Sequence, residues 1–426
     1  MLYFLIRPFV RLALPFYFRN ICLSGIENIP RGKPFILAVN HPTAFLESAI
    51  LGAYLHQPLH FLVRGDHFNK PVFRFLLRQG LMIPVFRQVE SGFSSLKDNY
   101  GIFSFCQKAI AKGKVVALFP EGRTEHERRL RPLQRGIARI AFGTLREYPK
   151  VEDLIILPVG VNFSNALAFR STVLVHFGVP IRSRAFYGDG SKPDYESLLK
   201  AVAFRLRENM VIIRRPEDDI LVETCLMLWR NLHLPAKRPF FLYGDQWLRR
   251  EQQLAAFWND VATDSHKEET RMLVDDYLFQ LHQFQIPDTA VELVPGMARD
   301  KMPPAFYSLF FRLGLLLVRL PSSYAEKAAR KMQRQSFIGA VRFATGFGLA
   351  LGIGICLLVL SIIFSPWLLP LIPLLGLWVY FAILFKERED HALAVARFRG
   401  LSPANQQDLL NLKEKILAAF RGSSTE

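Results

Sequence analysis

Four short stretches carry polar groups that could do chemistry together. The segment AVNHPTAFLES (residues 38–48) sets His41 in a proline-broken turn with a carboxylate, Glu47, six positions later. Arg64 closes the run LHFLVR, Arg87 closes MIPVFR, and Pro120-Glu121-Gly122-Arg123 lies at the end of VVALFP and just after it. A histidine can accept and return a proton near neutral pH, and a carboxylate behind it fixes its tautomer and stabilises the imidazolium. Taken alone, His41 reads more readily as a hydrogen-bonded turn residue. The set reverses that reading, because a base, two guanidinium groups and a second carboxylate each follow a different apolar run.

Those runs have the composition of strands. FILAVN (35–40), LHFLVR (59–64), MIPVFR (82–87), VVALFP (115–120), LIILPVGVNF (154–163) and VLVHFGV (173–179) are β-branched or aromatic. Helical patterns separate most of them, at about 44–55, 70–80, 94–112 and 134–147. This order predicts an α/β domain with a mostly parallel or mixed sheet flanked by helices. In such a sheet, ligands bind beyond the carboxyl ends of the strands, where loops converge and helix N-termini point into the crevice. His41, Arg64, Arg87 and Glu121 all belong to that edge.

The rest of the chain points to lipid. Half of its 426 residues are hydrophobic, yet its formal net charge is +17, a pairing of apolar surface with attraction to anions such as phospholipid headgroups, coenzyme A phosphates or an acidic carrier protein. No nucleic-acid recognition module is present in the sequence, so nucleic acid is not an expected partner. The four cysteines are scattered without metal-ligand spacing and read as buried thiols of a reducing compartment. From Phe343 to Phe385 no residue is charged, a run about twice the ~20 residues that a spanning helix needs. Pro366, Pro370 and Pro373 break it, so the sequence predicts a transmembrane hairpin at about 343–385, and the flanking Arg and Lys residues favour the cytoplasmic side at both ends. The N-terminal MLYFLIRPFVRLALPFYFRN, interrupted by arginines, reads as an interfacial segment. The expected organisation is therefore an interfacial segment (1–30), the α/β domain (31–190), a helical accessory region (191–330), and the hairpin with a cytoplasmic tail (331–426).

At its polar stretches the sequence resembles the phospholipid and glycerol acyltransferase family, in particular the branch that reads N-H-P around its histidine. NHPTAFLES resembles the family's first motif, RGDHFNKPVFRFLLRQGLMIPVFR the second, FPEGRTEHERRLRPLQRGIARIA the third, and ILPVGVNF the fourth. The resemblance covers residues 1–181 and fades beyond about 190. It implies a membrane enzyme of phospholipid biosynthesis with its catalytic domain on the cytoplasmic side. The reaction implied is acyl transfer from an acyl thioester, acyl-CoA or acyl carrier protein, to a glycerol-3-phosphate or lysophosphatidate-type acceptor, with no metal and no further cofactor. It implies catalysis by His41 and its acidic partner, phosphate binding near Arg64 and Arg87, and contact of Glu121 and Gly122 with the acceptor or with cations that grip it. Arg123 is a further candidate for phosphate, and Pro158 for the acyl-side wall.

One departure stands out. The common pattern is H-x4-D, which would place the acid at Leu46; here the first carboxylate is Glu47, at H-x5-E, and since the N-H-P branch takes this longer spacing with aspartate, the glutamate is the unusual part. Thr43 reads as the N-cap of a helix starting at Ala44, which would make Glu47 a first-turn acid. Alternatives left open at this level are acylation or remodelling of another lyso-lipid, amino-acid lipids included, and a catalytically impaired membrane-binding homologue. Oligomeric state is not legible.

Overall fold

The β-branched runs form one mixed sheet in a computed structural model that describes residues 2–65, 69, 71–85, 95–188, 193–233, 241–291 and 305–421. Its strands are β1 (Asn20–Ser24), β2 (Phe35–Val39), β3 (Leu59–Arg64), β4 (Met82–Val85), β5 (Val115–Leu118), β6 (Ile155–Phe163), β7 (Thr172–Phe177), β8 (Ile181–Arg182) and β9 (Phe241–Tyr243). The order across the sheet is β4-β3-β5-β2-β6-β7-β1-β9, with β8 paired to β6. From β4 to β6 every neighbour is parallel; β7 runs antiparallel to β6, and β1 and β9 run parallel to β7. The carboxyl ends of β2, β3, β4, β5 and β6 therefore share one edge.

Besides the two-residue β8, two of these strands lie outside the sequence-predicted set. NICLS has only one β-branched residue and lies in the stretch assigned above to the N-terminal segment, yet β1 is buried along its whole length beside β7. β9 is three residues contributed from far along the chain.

Helices cover both faces of the parallel part. α1 (Leu2–Tyr17), α2 (Leu46–Tyr54), α3 (Pro71–Gln79), α4 (Ser95–Ala111), α5 (Gly136–Glu147) and α6 (Tyr195–Glu208) follow in chain order. β2 and β5 are buried at every position, which explains why they read as continuous apolar runs rather than as alternating ones. On one face Ile36, Val116 and Ile156 pack with Cys106 and Ile110 of α4 and Ile137 and Ile140 of α5. Burial raises the Cys106 thiol pKa to about 12, so it is an inert core group. On the other face Gly52 of α2 lies against the Phe61 ring of β3. α1 docks on α2: the Tyr3 hydroxyl donates to Gly52 O, and the Arg7 guanidinium to the carbonyls of Leu55 and His56. Arg7 thus faces the protein, while Phe4, Leu5, Phe9 and Leu12 are exposed.

The chain divides into two compact units. One comprises Met1–Val211, Pro239–Leu248 and Met332–Phe343; the other comprises Ile212–Arg238, Arg249–Lys331 and Ala344–Glu426. The remaining helices are α7 (Asp219–His233), α8 (Gln246–Ala256), α9 (Asp264–Gln283), α10 (Ala305–Arg330), α11 (Gln335–Phe364), α12 (Leu371–Arg399) and α13 (Pro403–Arg421). Several charges of the second unit are internal pairs. Arg230 makes a bidentate pair with Glu251 at 2.7 Å, and Lys413 lies 3.0 Å from Asp288, which also accepts the Tyr277 hydroxyl.

The expected hairpin is corrected in one respect. The break falls where the prolines put it, at residues 365–370, but among the described residues only α11 is long and apolar enough to cross a membrane. The apolar part of α12 ends at Phe385, before Lys386, Glu387 and Arg388, short of the ~20 residues a span requires. α12 packs instead against α10, with Phe311 stacked on Phe385 at 5.0 Å and Gly314 against Trp378 and Ala382. Cys356 of α11 is exposed rather than packed, because almost all of that helix's apolar window is uncovered.

Candidate active site

The loop after β2 is built from the chain's own polar groups. Asn40 latches it to β6: its amide donates to Val161 O (3.0 Å) and its Oδ1 accepts Val161 N–H (2.7 Å). His41 follows, its N–H donating to Glu121 Oε1 at 2.9 Å, and its imidazole lies on the Phe119 ring with centroids 3.9 Å apart and planes 15° from parallel. The ring is therefore oriented from β5, whose end supplies both Phe119 and Glu121.

Glu47 sits in the first turn of α2 and is fully buried. Helix α2 begins at Leu46, two residues later than the sequence suggests. Thr43 remains its capping group: Leu46 N–H donates to Thr43 Oγ1 at 3.1 Å. The Thr43 N–H and hydroxyl both donate to the Glu47 carboxylate, at 2.5 Å to Oε1 and 2.5 Å to Oε2. Oε1 stands 3.7 Å from His41 Nδ1, too far for a hydrogen bond, and Nδ1 is buried with no other partner. The H-x5-E spacing thus brings the imidazole and the carboxylate together.

Glu121 is buried and both of its oxygens are engaged. Oε1 takes His41 N–H, and Oε2 takes Arg131 N–H (3.2 Å) and Nε–H (3.0 Å). Of the two roles the resemblance allows for this acid, orienting a cation is the one its contacts support. Gly122 makes the turn that follows, with φ +73° and its N–H donating to Phe119 O; a β-carbon there would also meet Gln134 Cγ at 3.0 Å. Arg123 is exposed, and its carbonyl accepts Arg131 Nη2–H at 2.8 Å. Arg64 ends β3 in register with Val85, at the same sheet edge as His41. Arg87 lies outside the described residues. Pro158 lies within β6, opposite Ala38 of β2.

Sequence reasoning passed over Arg131. In the basic run RRLR nothing distinguishes it from its neighbours, yet its side chain is only 10% exposed and its Nη1 is buried without a partner. Phe119 was likewise read only as the first letter of FPEG. His60 offers no rival base: it is buried in β3 beside Val115 O, and burial, followed by the Lys114 charge, lowers its pKa.

The first turns of α11 belong to the same compact unit and brace this loop. Ala44 N–H donates to Ser336 O (3.1 Å), the buried Tyr17 hydroxyl donates to Gly339 O (2.9 Å), and the Arg342 guanidinium donates to Leu167 O. At Gly339 a β-carbon would fall 2.2 Å from Ala166 O and 3.4 Å from Leu46 Cδ1. Gly339→Ala should therefore lower the stability of this unit by about 1–3 kcal/mol, as overpacking does. A thermal unfolding midpoint equal to wild type would show that the helix does not bear on the loop.

Residues 20–162 match the Acyltransferase family. Glycerol-3-phosphate O-acyltransferase 1 of Saccharomyces cerevisiae is 36% identical over 198 residues, 43% of this chain and 24% of the yeast protein. An uncharacterized acyltransferase of Schizosaccharomyces pombe is 26% identical over 147 residues, 33% of this chain and 22% of that one. The chain thus spans under a quarter of the length of these relatives. The crystal structure of the 1-acyl-sn-glycerophosphate (LPA) acyltransferase from Thermotoga maritima aligns with a TM-score of 0.37 and 18% identity, covering 48% of this chain and 77% of that one. With His41, Glu47 and Glu121 gathered at the carboxyl edge of the parallel strands and the family match spanning β1 to β6, residues 20–162 form a domain of the Acyltransferase family.

Proposed function

We propose that the protein transfers a fatty acyl group from an acyl thioester to the free hydroxyl of a glycerol-3-phosphate or lysophosphatidate-type acceptor at a membrane surface. The observation that carries this reading is the buried pairing of His41 with Glu47 beside the FPEG turn, at the edge where the parallel strands end. His41 Nε2 takes the acceptor's hydroxyl proton as the oxygen attacks the thioester carbonyl. The tetrahedral intermediate then expels the thiolate, the C–S bond breaks, and the imidazolium returns the proton to sulfur. Arg64, Arg87 and Arg123 are the proposed phosphate contacts, in keeping with the fit of guanidinium to phosphate. Similarity to the yeast glycerol-3-phosphate acyltransferase favours glycerol-3-phosphate as acceptor, and α11 supplies a segment able to hold the enzyme in the bilayer. We place the catalytic domain on the cytoplasmic side, where the Arg and Lys residues flanking the apolar segment are favoured.

The test uses the full chain in liposomes, with acyl-CoA or acyl carrier protein thioester as donor and glycerol-3-phosphate or lysophosphatidate as acceptor. Thioester-dependent appearance of the acylated product is expected. Product formed without thioester would mean lipid-to-lipid exchange, and no product from any pair would favour a membrane-binding homologue without activity.

Glu47→Asp separates these readings further. The substitution withdraws the carboxylate by about 1.5 Å, one C–C bond, from the Thr43 donors. A rate at least ~10-fold lower is expected, the order of a lost positioning contact. A faster enzyme would identify Glu47 as an impairing substitution.

A further inference from the structure

A glutamate in place of an aspartate adds one freely rotating bond between α2 and the imidazole it must serve. The loop supplies a counterweight two residues after the histidine. Thr43 gives the carboxylate two donors, one per oxygen, both at 2.5 Å. Its hydroxyl already accepts Leu46 N–H, so its own proton is directed to Oε2. The carboxylate is fully buried, and Thr43 itself is 1% exposed, so neither group exchanges these bonds for water.

We propose that Thr43 is a positioning residue of the site, clamping the Glu47 carboxylate beside His41 so that the longer acid can hold the imidazole during proton transfer. This deepens the acyl-transfer reading and rests on it. Oε1 retains a lone pair after accepting Thr43 N–H, and it faces a buried Nδ1 that has no other partner. An approach of about 0.8 Å would turn the 3.7 Å separation into a hydrogen bond. With Nδ1–H donating to Glu47, Nε2 is the free nitrogen, which is the tautomer a base needs. If the hydroxyl is removed, Oε2 is left buried without a donor and the extra torsion of glutamate is free to swing the acid away.

A plain helix cap would use the same Leu46 bond, so the experiment separates the two roles by a double-mutant cycle on the full chain in liposomes. Thr43→Val should lower kcat about tenfold with little change in KM for the thioester, and Thr43→Ser should restore it, a coupling of ordinary size for contacting groups. In a Glu47→Ala background, Thr43→Val should have no further effect on kcat. Equal losses in both backgrounds would overturn the assignment and leave Thr43 as a cap. If wild type transfers nothing with any donor and acceptor, the proposed function fails by itself. The clamp is then read from the imidazole 15N resonances of His41, which should differ between wild type and Thr43→Val only when Glu47 is present; identical resonances would refute it.

Discussion

His41→Ala should leave a folded protein in which the proposed thioester-dependent acylation falls by about 10²–10⁴-fold, the range that a positioned general base contributes. The fold tolerates the change because the loop is held by backbone and neighbours rather than by the imidazole. His41 N–H still donates to Glu121, and Asn40 still bridges to Val161. What is lost is the ring on Phe119, a contact worth about 0.5–1.5 kcal/mol. The loss should therefore appear in kcat, with the unfolding transition moved by only a few degrees. Glu47 would keep its Thr43 donors in this variant, so no buried acid is left without partners. Initial rates in liposomes, paired with a melting curve, decide the matter. Turnover within about tenfold of wild type, below the range of base catalysis, would remove His41 from the mechanism.

The elements that build this site were largely legible because the central strands are buried on both faces. FILAV and VVAL read as strands from composition alone, and the residues that follow them inherit a common edge from parallel pairing. The acid at position 47 was legible as a partner for His41, but its clamp was not. Thr43 was read as a cap, and the double donation to Glu47 depends on a turn geometry that a sequence pattern does not specify. Strand β1 escaped because NICLS is short and little β-branched, and its burial is conferred by β7 and β9 from far along the chain. The α12 half of the hairpin was misread for a different reason. An uncharged run measures apolar length, whereas crossing requires that length within a single helix, and the prolines at 366 and 370 divide it unequally. Arg131 was hidden by its neighbours, since four arginines in nine residues look like a solvated surface until one of them is found beneath Glu121.

Glu121→Ala should be the most destabilising single substitution at the site. It removes the acceptors of His41 N–H, Arg131 N–H and Arg131 Nε–H together, leaving a guanidinium that is 10% exposed with a diminished set of partners. Breaking a buried ion pair from one side costs about 3–5 kcal/mol, because the remaining charge is uncompensated. Glu127, whose Oε1 lies 3.9 Å from Arg131 Nε and whose own side chain is a quarter exposed, is too distant to replace it fully. Removing both charges should behave differently. In Glu121→Ala with Arg131→Met the buried charge is gone, and exchange of an ion pair for apolar groups is often neutral, so the melting temperature should return most of the way to wild type. Transfer should not return with it, because His41 N–H still lacks the acceptor that ties the β2 loop to the FPEG turn. Melting curves and initial rates on the two variants separate stability from positioning. If the double variant regains both, Glu121 serves only to neutralise Arg131; if it regains stability alone, the acid holds the histidine's loop in the geometry that acyl transfer needs.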